Sequence, residues 1–452
     1  MRIKIVRAFG LALFLILATA ASLATAPATA ATATTSFTNV PLIVSNGSSE
    51  PAVTIDAGGN VVFSALSWIL FQTNIWKASF GASPMFQGAP DASIGKGIGG
   101  EDADLDLGST GTLHITTLMF FPGPNFLGRQ LGVSSITCPN DDTSDNFAHC
   151  TAQILDHTQA DRPWVTSDGN VVYISYHDSG SSTGIKVWRS MDDGITWTKV
   201  GDPIVGQGGF TSISTFDNDQ GKIMADPSTH SVFAIYAAGQ GGLQKAKNAF
   251  FNNIVVSRST DMGLSWTPSI VFHAPVNAAL NNVFPALAID PVNGNLYASW
   301  SDAHNVSMAS STDHGATWSN AVRINTGDAV TAVFPAIAAY NHHVDLAYYS
   351  TTATSKDDPA AVWNATMAES MDDGAHFTQV TVSAHSNHVG VVCTFGTGCA
   401  RGTRNLLDLF QVAINPQNAK AAVIFVDDTL TTFTRSDGTI AKLPQVVVAW
   451  ES

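Results

Sequence analysis

Residues 190–197 read SMDDGITW: two adjacent acids, a glycine, a threonine and a tryptophan within one short stretch. The pattern S-x-D-x-G-x-[TSH]-[WF] returns as STDMGLSW at 259–266, STDHGATW at 311–318 and SMDDGAHF at 370–377, so it marks a structural period before it marks a site. A short Asp side chain can bond nearby backbone amides, and glycine can take positive φ where the chain reverses. The aromatic can bury its ring while its N–H finds an acceptor. The motif therefore predicts a turn. Asp192, Gly194 and Trp197 are read as structural, as are Asp261, Gly263 and Trp266, and Asp313, Gly315 and Trp318. The fourth copy, Asp372, Gly374 and Phe377, is degenerate at its end.

A second landmark is an apolar run, a turn and another apolar run. It occurs as PAVTIDAGGNVVFSA (51–65), DADLDLGSTGTLHITTL (102–118), RPWVTSDGNVVYISY (162–176) and KIMADPSTHSVFAIY (222–236). FPALAIDPVNGNLYASW (284–300), FPAIAAYNHHVDLAYY (334–349) and LFQVAINPQNAKAAVIF (409–425) complete seven copies. Each reads as a hairpin. In the middle units a third strand ends at the motif and a fourth follows it, as in IKVWRS and TKVGDPIV. A four-stranded sheet cannot bury both faces alone, but it can against its neighbours, and radial stacking gives a β-propeller. SFTNVPLIV (36–44) has the form of a fourth strand with no blade before it, while the last unit stops after PQVVVAW. The expected fold is all-β: one propeller over 34–452, with seven four-stranded blades and six as the alternative count. The N-terminal strand is expected to complete the last blade and cover its edge.

Composition agrees with many short strands: charged residues are 13%, hydrophobic residues 45%, with 37 Gly and 19 Pro. Residues 1–33 read as a signal peptide: MRIKIVR, then LALFLILATAASLA, then small-residue cleavage candidates at Ala26, Ala30 and Ala33. An uncleaved anchor is the alternative. Export to the periplasm or medium follows from that reading. The formal net charge of -15 becomes more negative once Arg2, Lys4 and Arg7 are removed, which argues against nucleic acid as a partner. No later segment is apolar enough to span a membrane. The four cysteines form two close pairs, and the expected bridges are Cys138 with Cys150 and Cys393 with Cys399.

The repeated motif resembles the Asp box of the bacterial neuraminidase repeat, found in sialidases and many other secreted propeller proteins. The resemblance implies that each box joins the third and fourth strands of a blade. Antiparallel order then puts the boxes on the back face and sends the search for chemistry to the ends of second strands and the starts of first strands. Those positions hold Asp178, Asp302, Asp427 and Asp428, then Glu101, Asp102, Asp161, Arg162 and Asp408, with His177 and His304 beside two of the acids. Converging carboxylates split their pKa values or bind a hard cation such as calcium, for which Glu101 and Asp102 are the candidates.

A sialidase-like activity would use three arginines to clamp a carboxylate, an Asp acid/base and a Glu-activated Tyr nucleophile. Arg162 in DRPW is the nearest match to the first clamp, and Arg401 and Arg404 in CARGTR are further ones. The nucleophile is missing where expected: no Tyr follows Tyr349, and the chain has four Glu. Arg162, Asp161, Asp178 and Asp302 are the catalytic candidates. His177, His304, Arg401, Arg404, Asp408 and Asp427 are the substrate-binding ones. Phe120, Phe121, Phe126, Phe250, Phe251 and Trp363 in long loops are candidates for stacking on sugars. The resulting expectation is a secreted, monomeric, sialidase-like propeller that binds or processes extracellular glycans. The alternative is a non-catalytic scaffold that binds a peptide or surface protein.

Overall fold

The computed structural model describes residues 35–67, 72–91, 98–122, 129–157, 160–178, 184–204, 210–211, 220–240, 251–275, 278–280 and 282–452. The signal-peptide reading, the side chain of Glu101, and those of Phe121, Phe126 and Phe250 lie outside the described residues. Thr35–Ser452 form one compact unit.

All seven hairpins form where the apolar runs place them, and each gathers further strands into an antiparallel sheet. The first blade is Ser48–Ile55, Asn60–Ser67, Thr73–Ser79 and Met85–Gly88. The second is Ile98–Leu107, Leu113–Pro122, Arg129–Cys138 and Thr151–Asp156. The third is Ala160–Asp168, Val171–Asp178, Gly184–Ser190 and Thr198–Lys199. The fourth is Met224–Asp226, Ser231–Gln240, Asn253–Ser259 and Thr267–His273, with Phe210–Thr211 added beside its second strand. The fifth is Ala286–Ile289, Leu296–Ser301, Val306–Ser311 and Val322–Arg323. The sixth is Thr331–Tyr340, His343–Thr351, Val362–Ser370 and Thr378–Thr381. The seventh has Gln411–Ile414, Ala421–Thr434 and Ile440–Glu451 from the C-terminus. Its fourth strand is Phe37–Leu42, with Phe37 opposite Glu451 and Leu42 opposite Val446. Seven blades and N-terminal closure are thus both as expected.

Period-2 alternation explains why the sheets close on one another. In the third blade Ile174 and Tyr176 pack with Leu118 and Val133 of the second, while Tyr173 and Val187 pack with Val232 and Val255 of the fourth. Phe233 then meets Leu296 and Trp300 of the fifth, and Tyr297 meets Leu346 of the sixth. One cluster runs from Tyr349 of the sixth blade through Phe425 and Val447 of the seventh to Phe63 and Trp76 of the first. Val62 and Ile75 of the first pack with Ile115 and Ile136 of the second. Among the described residues, apolar side chains fill each of these blade-to-blade interfaces.

The four repeated motifs fold as one turn. In the first copy Ser190 Oγ donates to Asp192 Oδ1 at 2.8 Å and accepts from the Gly194 amide at 2.9 Å. Asp192 in turn accepts from the Thr196 amide at 2.8 Å and from its hydroxyl at 2.7 Å. Gly194, Gly263, Gly315 and Gly374 have φ between +79° and +84°. The ring N–H of Trp197 reaches Gly194 O and that of Trp318 reaches Ser269 Oγ. Asp193 bonds Thr112 and faces His114 at the first hairpin of the second blade, tying neighbours together at the back. Where the second blade lacks the motif, the loop closed by Cys138–Cys150 takes its place. Cys393–Cys399 forms as expected between the sixth and seventh blades.

Candidate functional site

The front of the channel is built on backbone irregularities at the start of first strands. Register slips fall between Ser49 and Ala52, Glu101 and Asp104, Asp161 and Trp164, and Val333 and Ala336. At each slip a non-glycine residue takes positive φ: Glu50 (48°), Asp102 (46°), Arg162 (51°) and Phe334 (57°). Such conformations are uncommon, and bulges of this kind re-aim a side chain out of the pleat. Here three of the four re-aimed side chains are charged, and they meet.

Arg162 is 2% exposed. Its Nη2 lies 3.0 Å from Asp102 Oδ1, 3.7 Å from Glu50 Oε1 and 3.9 Å from Asp408 Oδ2. Arg404 grips Asp408 with two nitrogens and brings Nη2 to 3.9 Å from the same Glu50 oxygen. Burial pushes the Glu50 and Asp161 carboxyls well above the usual range, and the charge of Asp102 adds to it. Burial also pushes Asp102 up, but Arg162 and hydrogen bonds from Glu50 and Asp161 overcome it and hold Asp102 at about 2. Asp102 is thus held down while its two carboxyl neighbours are pushed up. Environments that drive neighbouring carboxyls apart in this way assign one as acid and another as base. Arg162 Nε and Nη1 and Glu50 Oε2 are buried without a hydrogen-bond partner.

Beneath the cluster the channel holds a cavity of about 540 Å³, bounded at the front by Trp164, Phe284 and Asp408 and at the back by hairpin-turn residues Ala57, Pro227 and Pro291. The Arg162 guanidinium lies 4.6 Å from the ring centroid of Phe284, one of the residues lining the cavity. Lower down, Lys222 crosses to Asp104 at 3.0 Å and Gln411 reaches the same carboxylate at 3.3 Å.

The front cluster therefore unites Asp102, Asp161, Arg162, Arg404 and Asp408 from the sequence expectation and adds Glu50. Asp161 stands opposite His177 across the strand pair, and Asp178 stands opposite Ala160 one place further. His177 is buried with neither ring nitrogen bonded, and burial, against the pull of Asp178, draws it down to about 4. Asp302 instead caps its own turn, accepting from the amides of His304 and Asn305 at 3.0 and 2.6 Å. His304 bonds Thr331. Asp427 bonds Thr429 and lies 2.9 Å from His385. Arg401 is exposed in a turn. Two stacking candidates, Phe251 and Trp363, are fully buried in the core and present no face to a sugar. Tyr348 and Tyr349 are buried too, and burial raises both phenols. Among the described residues no group of three or more His, Cys, Asp or Glu side chains is arranged to hold a metal ion.

Sequence reasoning missed Glu50 and His388. The first had a signal: EPA at 50–52 aligns with RPW at 162–164 and FPA at 334–336. His388 pairs with Asp428 Oδ2 at 2.7 Å and had none.

No protein-family profile and no curated protein matches the chain. Solved structures do. An ulvan lyase, described as a polysaccharide lyase bound to -[GlcA(1-4)Rha3S]-, is 10% identical over 90% of this chain and 95% of that one, with a TM-score of 0.54. A protein of unknown function from Dyadobacter fermentans is 13% identical over 92% and 98%, with a TM-score of 0.47. The NanB sialidase of Streptococcus pneumoniae is 11% identical, covering 89% of this chain and 68% of that one, at 0.43. The class defined by fold is the seven-bladed, four-stranded β-propeller. Its structural neighbours include sialidases and other glycan-processing or glycan-binding propellers.

Proposed function

We propose that this protein is a secreted propeller that binds and cleaves extracellular glycans at the front of its channel, by acid/base catalysis with carboxyl groups. The observation that carries the reading is the buried front cluster in which Arg162 and Arg404 converge on Asp102, Glu50 and Asp408, with the Glu50 and Asp161 carboxyls pushed up by burial while Asp102 is held low. The four Asp-box-like turns at the back and the resemblance of the whole to sialidase-type propellers support it. So do the two disulfides, which suit an oxidising compartment.

The exo-sialidase route receives less support. It needs an activated tyrosine and three open guanidiniums, whereas Tyr349 accepts a bond from the Val426 amide inside the core and Arg404 is closed on Asp408. That closure favours a second reading, a non-catalytic protein-binding propeller whose cluster only braces the channel mouth. A panel of fluorogenic glycosides, a sialoside included, separates the two. Turnover of at least one glycoside, falling by about a hundredfold in Asp161→Asn, is expected. Absence of both turnover and saturable glycan binding would overturn the proposal.

A further inference from the structure

The channel cavity of about 540 Å³ lies in the size range of small-molecule sites, and its mouth is not at the front. Trp164 and Asp408, which bound it at the front, are buried. Ala57, Pro227 and Pro291, in turns between first and second strands, line its other end and are exposed. From Val53 to Ala57 the wall runs roughly 13 Å at the usual strand rise. Apolar side chains from six blades line it: Ile55, Leu107, Met224, Ala286, Ala338 and Ala413. The third blade adds Thr166 and Ser167.

Along the second blade's part of this wall one cation answers two carboxylates. Lys222 Nζ lies 3.0 Å from Asp104 Oδ2 and donates to Asp104 Oδ1 and Leu105 O at 3.1 and 3.0 Å, so it is committed to Asp104. Asp106, two residues nearer the back, lines the cavity and is half-buried. Its Oδ2 accepts from Ser167 Oγ, while among the described residues its Oδ1 accepts no hydrogen bond. Burial pushes this carboxyl up, against the pull of Lys222 and Ser167. An under-bonded carboxylate between apolar walls is costly and gains most from a cation. The rim has the same sign: Asp56, Asp226 and Asp290 directly precede Ala57, Pro227 and Pro291. Asp56 and Asp290 are bonded by amide donors, which leave their charge in place. An acidic mouth on a low-dielectric cleft draws cations in.

We propose that the channel is a binding site for a small organic cation, a primary amine on an apolar or aromatic body, which enters from the back. Its ammonium donates to Asp106 Oδ1, and its body lies among the apolar side chains toward Trp164 and Phe284. A hard metal ion needs six or more oxygens, and this wall offers one under-bonded carboxylate among hydrocarbon. An anion meets more acid than base. The site goes beyond the glycan reading and uses none of the carboxyls assigned there to acid/base chemistry.

Isothermal titration calorimetry on the full chain at neutral pH, with three probes of one shape, tests this: 4-phenylbutylamine, 4-phenylbutan-1-ol and 4-phenylbutyrate. The amine should bind at one site per chain, at least about tenfold more tightly than the alcohol, and the butyrate should bind most weakly. Asp106→Asn, which keeps the side chain's shape, should abolish the preference for the amine over the alcohol. Ala338→Phe, which fills the sixth blade's part of the wall, should weaken both. Melting curves check that the variants fold, and the ranking of probes on the wild-type protein decides the question if one does not. No saturable binding of the amine, an amine that binds no better than the alcohol, or a preference that survives Asp106→Asn overturns the proposal. Amine binding untouched by a folded Ala338→Phe puts the amine outside the channel and overturns it as well.

Discussion

Replacing Arg162 by Met keeps the length of the side chain and removes the charge on which the front cluster depends. Asp102 Oδ1 then loses the guanidinium 3.0 Å away, and Glu50 and Asp408 lose a cation within 3.9 Å. The site is buried, so water cannot replace what is lost. Removing one member of a buried pair costs about 3–5 kcal/mol because the remaining charge is uncompensated. The pH dependence gives the mechanism a sign. Wild-type Asp102 titrates near 2 when folded, below its unfolded value, so it contributes stability above the ordinary carboxyl range and loses it as pH falls toward 2. Without Arg162 that contribution disappears, and Asp102 can relieve its burial by taking up a proton. Guanidinium chloride unfolding followed by tryptophan fluorescence should therefore show a large gap between wild type and variant at neutral pH, narrowing on acidification. A variant within about 1 kcal/mol of wild type at neutral pH, or a gap that widens in acid, would refute the reasoning.

Two further outcomes follow from the packing. Asp345 is buried opposite Glu369, with Oδ1 unbonded, and burial together with the charges of Glu369 and Glu451 raises it well above its ordinary value. The folded state then holds a proton that the unfolded state releases, and stability falls as pH rises through that raised value. Asp345→Asn should raise the melting temperature at neutral pH, with the gain vanishing at pH values below the ordinary carboxyl range; an equal loss at every pH would contradict this. Gly315 has φ +79° with its nearest neighbour for a Cβ at 3.5 Å, so Gly315→Ala should cost only the conformational strain, roughly 1–2 kcal/mol. Gly194→Ala adds a clash with Thr137 Oγ1 at 2.3 Å and should cost more in the same denaturation assay.

Much of the architecture was legible because it repeats. The Ser, Asp and Gly of each turn make the same local bonds in all four copies, so one copy predicts the rest. The closing strand was legible because an unpaired edge needs a partner and Phe37–Leu42 had no blade of its own. The site was harder to read because its members are set by where side chains are aimed. Asp302 and Asp408 occupy similar-looking acidic loops, yet Asp302 meets donors from its own turn and Asp408 meets Arg404. Glu50 joins the cluster only because a bulge turns it inward. Trp363 sits in a polar loop sequence but is the second residue of the strand Val362–Ser370, and its ring fills the core cluster shared with the seventh blade. His388 itself lies in a long connector, and only the folded path brings it to Asp428.

The central claim is that chemistry belongs to the front of the channel and the repeated turns to structure. It is tested most directly by comparing glycan binding and turnover in Asp161→Asn with Ile195→Ser, which alters a 60% exposed residue on a back turn. The account predicts that the front variant loses both activities while folding normally, and that the back variant keeps them. Loss in the back variant with an unaffected front variant would contradict it.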